Sequence, residues 1–245
     1  MKLSIVIIAL DEKDLIAESI KSASFADEIL VVDTGSTDET PKIAKKLGAR
    51  TKELKFTNFA DVRNKAKDMI TGDWIFYLDA DESISLRLKE LIKSNINNSQ
   101  YSAFKVRRIN YFLGKKWPPD EKIIRLFDKK KLKNWFGEVH ESPEVEGDIG
   151  FLEGDLIHHT HRKLNTMVEK TNKWSEIESS LLYDSSHPRI KSWRLLKVML
   201  FMFYRYYISE QGFKLGTTGL IESIYQSFSV FITYSKLWEK QQNKL

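Results

Sequence analysis

Two aspartates separated by one residue, Asp79 and Asp81, are the side chains of this sequence best placed to do chemistry. They directly follow the apolar run 74–78, which is typical of a buried strand after the break at Gly72 and Asp73. Open α/β sheets bind ligands at the carboxyl ends of their strands. Two carboxylates at such an edge can share a divalent cation and the diphosphate that it carries. The alternative is that the pair only caps the next helix.

Other polar residues are predicted at the same edge. Asp33 ends the apolar run 29–32, and its carboxylate is suited to accept a hydrogen bond from a base or ribose. Gly35 lets the backbone approach a ligand closely. Arg63, followed by Asn64, can neutralise a phosphate or hydrogen-bond a nucleobase. An acidic helix-capping turn at Asp33 and a solvated surface at Arg63 are the alternatives.

The elements that position these residues alternate between strand and helix. Asp11 is a candidate cap for the first helix, which turns Leu15, Ile16, Ile20 and Ala23 to the core. This alternation predicts a parallel, doubly wound sheet with right-handed crossovers. The predicted order is strand 3–9, helix, strand 29–32, helix 37–48, strand 49–54, helix 59–70 and strand 74–78.

The second part of the chain has a different pattern. A helix at 86–92 precedes two further strands, at 103–106 and 123–127, and the segment 117–119 between them contains two prolines. From residue 164 onward, apolar residues recur at helical spacing. We therefore predict a catalytic domain at 1–163 and a helical C-terminal extension at 164–245.

Composition limits the class of protein. A chain of 245 residues with 42% hydrophobic and 30% charged residues is typical of a globular protein with one large domain, or a core with an appended element. The absence of cysteine excludes disulfides, thiolate zinc sites and cysteine nucleophiles, and fits a reducing compartment. A net charge of +5 favours polyanionic partners, which include nucleic acid, anionic lipid and phosphorylated substrates.

The first ten residues resemble a signal peptide only superficially, because acidic residues rather than a small-residue cleavage site follow them. We interpret them as a buried strand. The longest apolar region, 195–208, contains Lys197 and Arg205 and is shorter than the about 20 residues of a spanning helix. The expected location is cytoplasmic, with peripheral attachment to the inner face of the plasma membrane as an open possibility.

Three stretches resemble the glycosyltransferase family 2 enzymes. They are SIVIIALDE at 4–12, EILVVDTGSTD at 28–38, and the region from Arg63-Asn64 to DWIFYLDADE at 73–82. Their order and spacing cover roughly the first 85 residues. The resemblance implies the GT-A (nucleotide-diphospho-sugar transferase) fold: an α/β, Rossmann-like mixed sheet flanked by helices.

The resemblance also implies a nucleotide-sugar donor and a metal, Mg²⁺ or Mn²⁺. Asp33 would contact the base, Arg63 and Asp79 the nucleoside, and Asp81 the metal, with His158 reaching the diphosphate or completing the metal shell. The implied donor-binding set is Ala9, Asp11, Glu12, Asp33, Gly35, Arg63, Asp79 and Ala80.

Looser motifs are similar to a bacterial subgroup that includes the lipopolysaccharide-core β-1,4-glucosyltransferases. They are WFGEVHE at 135–141, IHHTHR at 157–162 and GFKLGTTG at 212–219. Asp11 stands where the family usually has asparagine, so the base contacts there stay open. The Gln-x-x-Arg-Trp motif of processive synthases is absent from the sequence, which favours a single addition of sugar. The resemblance implies a UDP-hexose donor, with UDP-glucose as the candidate within the subgroup, and a glycan or lipid-linked acceptor such as a lipopolysaccharide core.

An inverting transfer needs a base that removes the proton of the acceptor hydroxyl. Glu141 is the first candidate, and Glu138 and His140 are alternatives. A charged loop packed against Trp135 is the non-catalytic interpretation. If 157–162 is a strand, His159 and His161 share one face.

The segment 188–207 combines basic residues with many aromatic and aliphatic ones. It is interpreted either as a helix packed in the core or as an interfacial helix that binds an anionic membrane. A dimer contact between two copies of the chain is a further possibility for the C-terminal helices.

Two other classes remain open. A nucleotidyltransferase also combines an α/β sheet with paired carboxylates, but the loop at 9–12 is acidic and lacks the glycine and basic residue that hold a triphosphate. A non-catalytic nucleotide-sugar-binding module is the second. Nucleic acid is not expected as a partner, because the basic residues are dispersed and the aspartates repel phosphates.

Overall fold

The first strand, β1 (Leu3–Ala9), is buried along its whole length. Both of its neighbours run parallel to it, β2 (Glu28–Asp33) on one side and β4 (Trp74–Asp79) on the other. A strand in this position has both faces covered, which explains its continuous apolar sequence. The computed structural model describes residues 1–97, 99–137 and 141–242.

The predicted alternation of strand and helix is confirmed up to residue 79. Between the strands lie α1 (Ile16–Ala23), α2 (Thr40–Lys46) and α3 (Phe59–Met69), and β3 (Arg50–Glu53) pairs in parallel with β2. Pro41 lies in the first turn of α2, where the missing N–H does no harm. The side chain of Asn58 caps α3 by accepting a hydrogen bond from the N–H of Asp61.

The prediction that Asp11 caps α1 is wrong. The helix begins at Ile16, and Leu15 before it makes no side-chain cap. Asp11 has a positive φ of 53°, and its carboxylate accepts hydrogen bonds from the N–H groups of Thr37 (2.7 Å) and Asp38 (3.3 Å). A carboxylate that joins the loops after β1 and β2 is not available to α1.

Beyond β4 the sheet becomes antiparallel, so the parallel prediction holds only for β3, β2, β1 and β4. The sheet order in the described part of the chain is β3-β2-β1-β4-β8-β6-β11-β5, with β7 paired to β6. The added elements are β5 (Glu82–Ile84), α4 (Leu86–Asn95), β6 (Ala103–Phe112), β7 (Lys115–Lys116), β8 (Glu121–Asp128) and β11 (Ile149–Thr160).

A separate hairpin-like pair of strands, β9 (Leu132–Phe136) and β10 (Ser142–Val145), lies outside this sheet. The two are antiparallel, with Phe136 opposite Ser142. The predicted mixed sheet flanked by helices is confirmed.

Two apolar clusters cover the two faces of the sheet. Side chains alternate along β1, so that Ile5 and Ile7 join one cluster and Val6 and Ile8 the other. The first cluster includes residues of α1, α2 and α4, and the second includes residues of α3 and β9.

The described chain forms two compact units. One contains Met1–Ile109 and Asp120–His158, and the other contains Asn110–Pro119 and His159–Leu245. The boundary near residue 163 stays a prediction.

The second unit is helical in its C-terminal part, as predicted. It contains α5 (Leu164–Asp184), α6 (Ser192–Phe203), a π-helical segment (Tyr204–Ser209), a 3₁₀ turn (Gly212–Leu215) and α7 (Thr217–Gln242). Helix α7 packs against both α5 and α6. Small residues such as Gly219, Ser223 and Ser227 are buried on α7. None of the helices in the described ranges has the length and apolar character needed to cross a membrane.

Two glycines inside β11, at 150 and 154, explain why this strand was not predicted, since glycine weakens a strand pattern. Gly154 is required by close packing: a Cβ atom there would lie 2.6 Å from the Cα of Leu88 on α4.

Gly154→Ala is therefore expected to destabilise the protein by about 1–3 kcal/mol, because the clash is with backbone that cannot move aside cheaply. Urea unfolding measures this change. The control is Glu153→Ala, at an exposed position of the same strand, which should stay within about 0.5 kcal/mol of the wild type. Equal stabilities for the two variants would contradict the packing described for β11 and α4.

Candidate active site

Asp33 and Asp79 end the two strands that flank β1. Asp33 pairs in register with Ala9, and Asp79 with Ile8. Adjacent strands are about 4.8 Å apart, so the two Cα atoms are separated by roughly 10 Å at one edge of the sheet. The structure thus brings together the two predicted strand ends.

The buried carboxylate of Asp33 has few hydrogen-bond partners among the described residues. It is only 6% exposed, and its Oδ2 accepts a hydrogen bond of 3.2 Å from the N–H of Ser36. Its Oδ1 is buried and has no hydrogen-bond partner among the described residues. An acceptor atom in this state can receive a hydrogen bond from a ligand.

The loops beside Asp33 contain four more predicted residues. Ala9 accepts a hydrogen bond from the N–H of Thr34, and the N–H of Glu12 donates to the hydroxyl of Thr40. Gly35 has a φ of +110° with open space beside it, so its conformation, rather than crowding, requires glycine. Asp11, as described above, is occupied in joining these loops.

Arg63 is almost fully enclosed, with a side chain only 4% exposed. Its guanidinium carbon lies 4.9 Å from the ring centre of Trp135 and 5.3 Å from that of Tyr77. Stacking on aromatic rings suits the flat, weakly hydrated guanidinium. The Tyr77 hydroxyl also donates to the Arg63 carbonyl oxygen (3.0 Å), and burial raises the pKa of that hydroxyl despite the nearby Arg63 charge.

The nitrogens of Arg63 bind two carboxylates. Nε and Nη2 donate to Oε1 of Glu141 at 3.3 and 3.1 Å, and Nη2 lies 3.4 Å from Oδ1 of Asp79. Nη1 is buried and has no partner among the described residues. Arg63 therefore connects α3, β4 and the segment that contains Glu141, and it keeps one donor group unused.

Asp79 is held by a second arginine that the sequence analysis missed. Nη2 of Arg125, on β8, donates to Oδ2 of Asp79 at 2.6 Å and to Oε1 of Glu82 at 2.7 Å. Burial opposes ionisation of Asp79, but the charges of Arg125 and Arg63 outweigh it and lower its pKa. Burial likewise disfavours the charged form of Arg125. The negative charges of Asp79 and Glu82, and their hydrogen bonds with Arg125, outweigh this effect and raise the pKa of Arg125. Asp79 is thus an anion fixed between two cations.

Glu82 belongs to the same network of charges. Its side chain is fully buried, and its Oε2 accepts a hydrogen bond of 3.0 Å from the N–H of Asp79. Arg108 adds a more distant contact, with Nη1 3.5 Å from Oε1. A buried carboxylate of this kind requires such compensation.

Asp81 lies beside a histidine, His158. Its Oδ2 lies 3.4 Å from Nε2 of His158 on β11, and both side chains are about 15% exposed. Burial disfavours the imidazolium, yet the hydrogen bond and charge of Asp81 prevail and raise the pKa of His158. Ala80, between the two aspartates, is buried, and its N–H donates to the carbonyl of Ile8.

A carboxylate and an imidazole are suitable ligands for Mg²⁺ or Mn²⁺ together with water and phosphate oxygens. In the described ranges, no group of three or more His, Asp or Glu side chains is arranged to hold an ion. The pair of Asp81 and His158 therefore fits only a site that a substrate completes.

Glu141 accepts hydrogen bonds from Arg63, whose guanidinium stacks on Trp135 and Tyr77. The side chain of Asn64 donates to the Trp135 carbonyl and accepts from the Trp135 N–H, each at 2.9 Å, which anchors β9 to α3. Glu141 is 19% exposed, and among the described residues only its Oε1 accepts hydrogen bonds. The alternative candidates Glu138 and His140 lie outside the described residues.

The histidine cluster does not act as one group. His159 belongs to the second unit and lies 5.3 Å from the ring of Tyr111. His161 follows the end of β11 with a φ of 47°, so the expected alternation with His159 does not hold. Its Nδ1 is 2.9 Å from Oε1 of Glu222, a fully buried residue of α7, which gives it a structural partner in the second unit.

The residues that sequence reasoning missed, Arg125 and Glu82, did leave a signal. Arg125 interrupts the apolar strand IIRLF at 123–127, and a charge inside such a strand must find an opposite charge. Glu82 directly follows the second aspartate. Neither position alone indicates which charge it meets.

Known proteins resemble this chain along its length. An uncharacterized glycosyltransferase of Rickettsia typhi is 29% identical over 97% of this chain and 87% of its own. The lipopolysaccharide core biosynthesis glycosyltransferase LpsC of Rhizobium meliloti is 25% identical over 100% of this chain and 94% of its own.

Solved structures share the fold. Glucosyl-3-phosphoglycerate synthase from Mycobacterium tuberculosis matches with a TM-score of 0.51 and 18% identity, over 76% of this chain and 79% of its own. TarS 1–349 of S. aureus matches with a TM-score of 0.51 and 13% identity, over 100% of this chain and 92% of its own. These likenesses confirm the predicted GT-A fold class.

The family model for glycosyl transferase family 2 matches residues 4–144, the part of the chain that contains Asp33, Arg63, Asp79 and Arg125. Because this match spans more than half of the 245 residues, the protein belongs to glycosyl transferase family 2.

Proposed function

We propose that this protein is an inverting, non-processive glycosyltransferase that moves one sugar from a nucleotide-diphosphate donor, a UDP-hexose such as UDP-glucose, to a hydroxyl of a glycan or lipid-linked acceptor. The observation that carries the proposal is that two buried polar atoms near this edge of the sheet, Oδ1 of Asp33 and Nη1 of Arg63, have no hydrogen-bond partner among the described residues. An unpartnered buried polar group costs about 1–3 kcal/mol. A bound donor would satisfy both.

The two atoms suit different parts of the donor. Asp33 Oδ1 is an acceptor and would take an N–H of the base or a hydroxyl of the ribose. Arg63 Nη1 is a donor and would bind an oxygen of the nucleoside or its phosphate. Asp79 would fix Arg63 from the other side, since its two oxygens are engaged by Arg63 and Arg125. TarS has been solved with UDP-GlcNAc, and the mycobacterial synthase with UDP, which supports a uridine nucleotide here.

Asp81 and His158 would hold a Mg²⁺ or Mn²⁺ ion whose remaining ligands come from the donor diphosphate and water. When bound, the ion supplies Lewis acidity that neutralises charge on the departing diphosphate. The mycobacterial synthase is known in complexes with Mn²⁺ and with Mg²⁺.

Glu141 is the proposed base. The acceptor oxygen forms a bond to the anomeric carbon while the bond to the diphosphate oxygen breaks, and the hydroxyl proton passes to the carboxylate. Oε1 is held by Arg63, so Oε2 is the oxygen available to take the proton. One displacement inverts the configuration and needs no covalent enzyme intermediate.

The acceptor is proposed from the likeness to LpsC, whose name refers to lipopolysaccharide core biosynthesis. A heptose or hexose of a lipid-linked core glycan offers the required hydroxyl. A single addition follows from the absence of the processive Gln-x-x-Arg-Trp motif in the sequence.

The decisive assay measures release of nucleotide from a panel of nucleotide sugars with Mn²⁺ present. We expect release from a UDP-hexose, and loss of that release when EDTA removes the metal, because the proposed reaction needs the ion that Asp81 and His158 would hold. Pyrophosphate release from a nucleoside triphosphate would instead identify a nucleotidyltransferase. Binding of a donor with no turnover would identify a non-catalytic module.

Asp33→Asn tests the donor site. Replacing the carboxylate should raise the KM for the donor by about tenfold or more, the effect of losing a hydrogen bond to a charged acceptor. The thermal unfolding midpoint should not fall, because Oδ1 has no partner in the described chain to lose. Asp68→Asn, at an exposed position of α3, is the control and should change neither quantity. An unchanged KM in Asp33→Asn would remove Asp33 from the donor site.

Glu141→Gln tests the base. The amide oxygen can still accept from Arg63, so donor KM should stay near the wild-type value while kcat falls by about 10²–10⁴-fold. Steady-state kinetics with a saturating acceptor measures both. Glu144→Gln, three residues away on the exposed side of β10, should keep normal turnover. Near-normal kcat in Glu141→Gln would refute its assignment as the base.

A further inference from the structure

Helix α6 and the π-helical segment after it carry an exposed apolar stripe. Its side chains recur every three or four residues, so they lie on one side of the helix. We call this stripe the outer face of α6. It consists of Trp193 (56% exposed), Leu196 (65%), Leu200 (70%), Phe201 (61%), Tyr204 (59%) and Ile208 (45%).

The opposite side of α6 is apolar too. Leu195, Val198 and Met199 are half-buried there, and α6 packs against α7. No residue of α6 is buried. A helix that is apolar all round normally has both sides covered. One side of this helix is covered by α7, while the outer face meets solvent, so a partner for the outer face is required.

Charge identifies the partner. The segment 188–209 contains five basic residues and no acidic one. Four of the five, Arg189, Lys191, Arg194 and Lys197, form no ion pair with an acidic residue in the described ranges. Lys197 lies within the outer face, with its ammonium 5.7 Å from the ring centre of Trp193. Arg205 is paired with Glu210.

We propose that the outer face of α6 docks on an anionic membrane surface, with its apolar side chains in the acyl boundary and its lysines and arginines at the headgroups. Long basic side chains can extend along apolar surface while their charges stay in water. Trp193 and Tyr204 are the residue types that favour the headgroup level.

A second copy of the chain fits this face less well. In a symmetric pair the same surface meets itself. The basic residues of the segment would then face a second copy of a segment that has five basic residues and no acidic one. An anionic bilayer supplies both the apolar phase and the opposite charge.

The helix would lie in the plane of the membrane. The 18 residues from Ser192 to Ser209 extend roughly 27 Å. Lys197 lies about a third of the way along this length, and a charge buried at that depth of a bilayer would be costly. In the plane, each basic residue reaches the headgroups.

The test uses the full chain and sedimentation with vesicles of phosphatidylcholine, with or without phosphatidylglycerol. The wild type should bind the anionic vesicles, and binding should weaken as salt is added. Leu200→Ser with Phe201→Ser should lower the partition coefficient by at least about tenfold, because two side chains leave the apolar phase. Lys197→Glu should lower it about fivefold or more on anionic vesicles only.

The matched control is Leu164→Ser with Val168→Ser, two side chains of α5 that are 52% and 50% exposed. This variant should bind vesicles like the wild type. All variants alter exposed positions, so unfolding midpoints should be unchanged. Nucleotide release in solution should also be unchanged, which separates a failure of docking from a failure of the proposed transfer reaction.

Equal binding by the outer-face variant and the wild type would overturn the proposal, as would failure of the wild type to bind anionic vesicles. Light scattering provides the remaining outcome. A dimer of the wild type that Leu200→Ser with Phe201→Ser converts to monomer, without vesicle binding by either protein, would assign the face to a second copy and would equally overturn membrane docking.

Discussion

The site depends on the compensation of two buried guanidinium groups. Arg63 and Arg125 are 4% and 6% exposed, and a guanidinium does not lose its proton in a protein. Each buried positive charge must therefore be met by carboxylates. Arg125 meets Asp79 and Glu82, and Arg63 meets Asp79 and Glu141. This requirement connects α3, β4, β8 and the segment after β9 at one edge of the sheet.

The same compensation separates the roles of the two aspartates in Asp79-Ala80-Asp81. Both carboxylate oxygens of Asp79 accept hydrogen bonds from arginines, so Asp79 positions Arg63 and Arg125. Because both oxygens are occupied, Asp79 is poorly suited to bind a metal ion. Asp81 lies beside His158 instead, with Oδ2 3.4 Å from Nε2, and this is the pair that we propose to hold the metal. The parallel strands bring the aspartates to the edge, and the antiparallel strands β8 and β11 bring the arginine and the histidine that distinguish them.

A second feature of the protein is the packing of its C-terminal helices. Helix α7 packs against α5 and α6. Its small residues Gly219, Ser223 and Ser227 are buried, and Gly219 lies against the 3₁₀ turn, where a Cβ atom would be 1.8 Å from the carbonyl oxygen of Gly212. Several bulky apolar residues of α6 stay exposed, including Leu196, Leu200 and Phe201. This exposed surface is the one that we propose to dock on an anionic membrane.

Much of the fold and part of the site followed from the sequence alone. The apolar runs before Asp33 and Asp79 determined two strand ends, and the period of the helices determined the C-terminal extension, because these signals are local. The weakly patterned β11, with two glycines, was not predictable, since Gly154 reflects packing against Leu88, which is 66 positions away in the sequence of 245 residues. The pairing of charges, in contrast, required the folded structure: Arg125 with Asp79 and Glu82, Arg63 with Glu141, and His158 with Asp81. A residue type states that a charge needs a partner, but only the folded chain, by bringing distant strands together, selects which one it has.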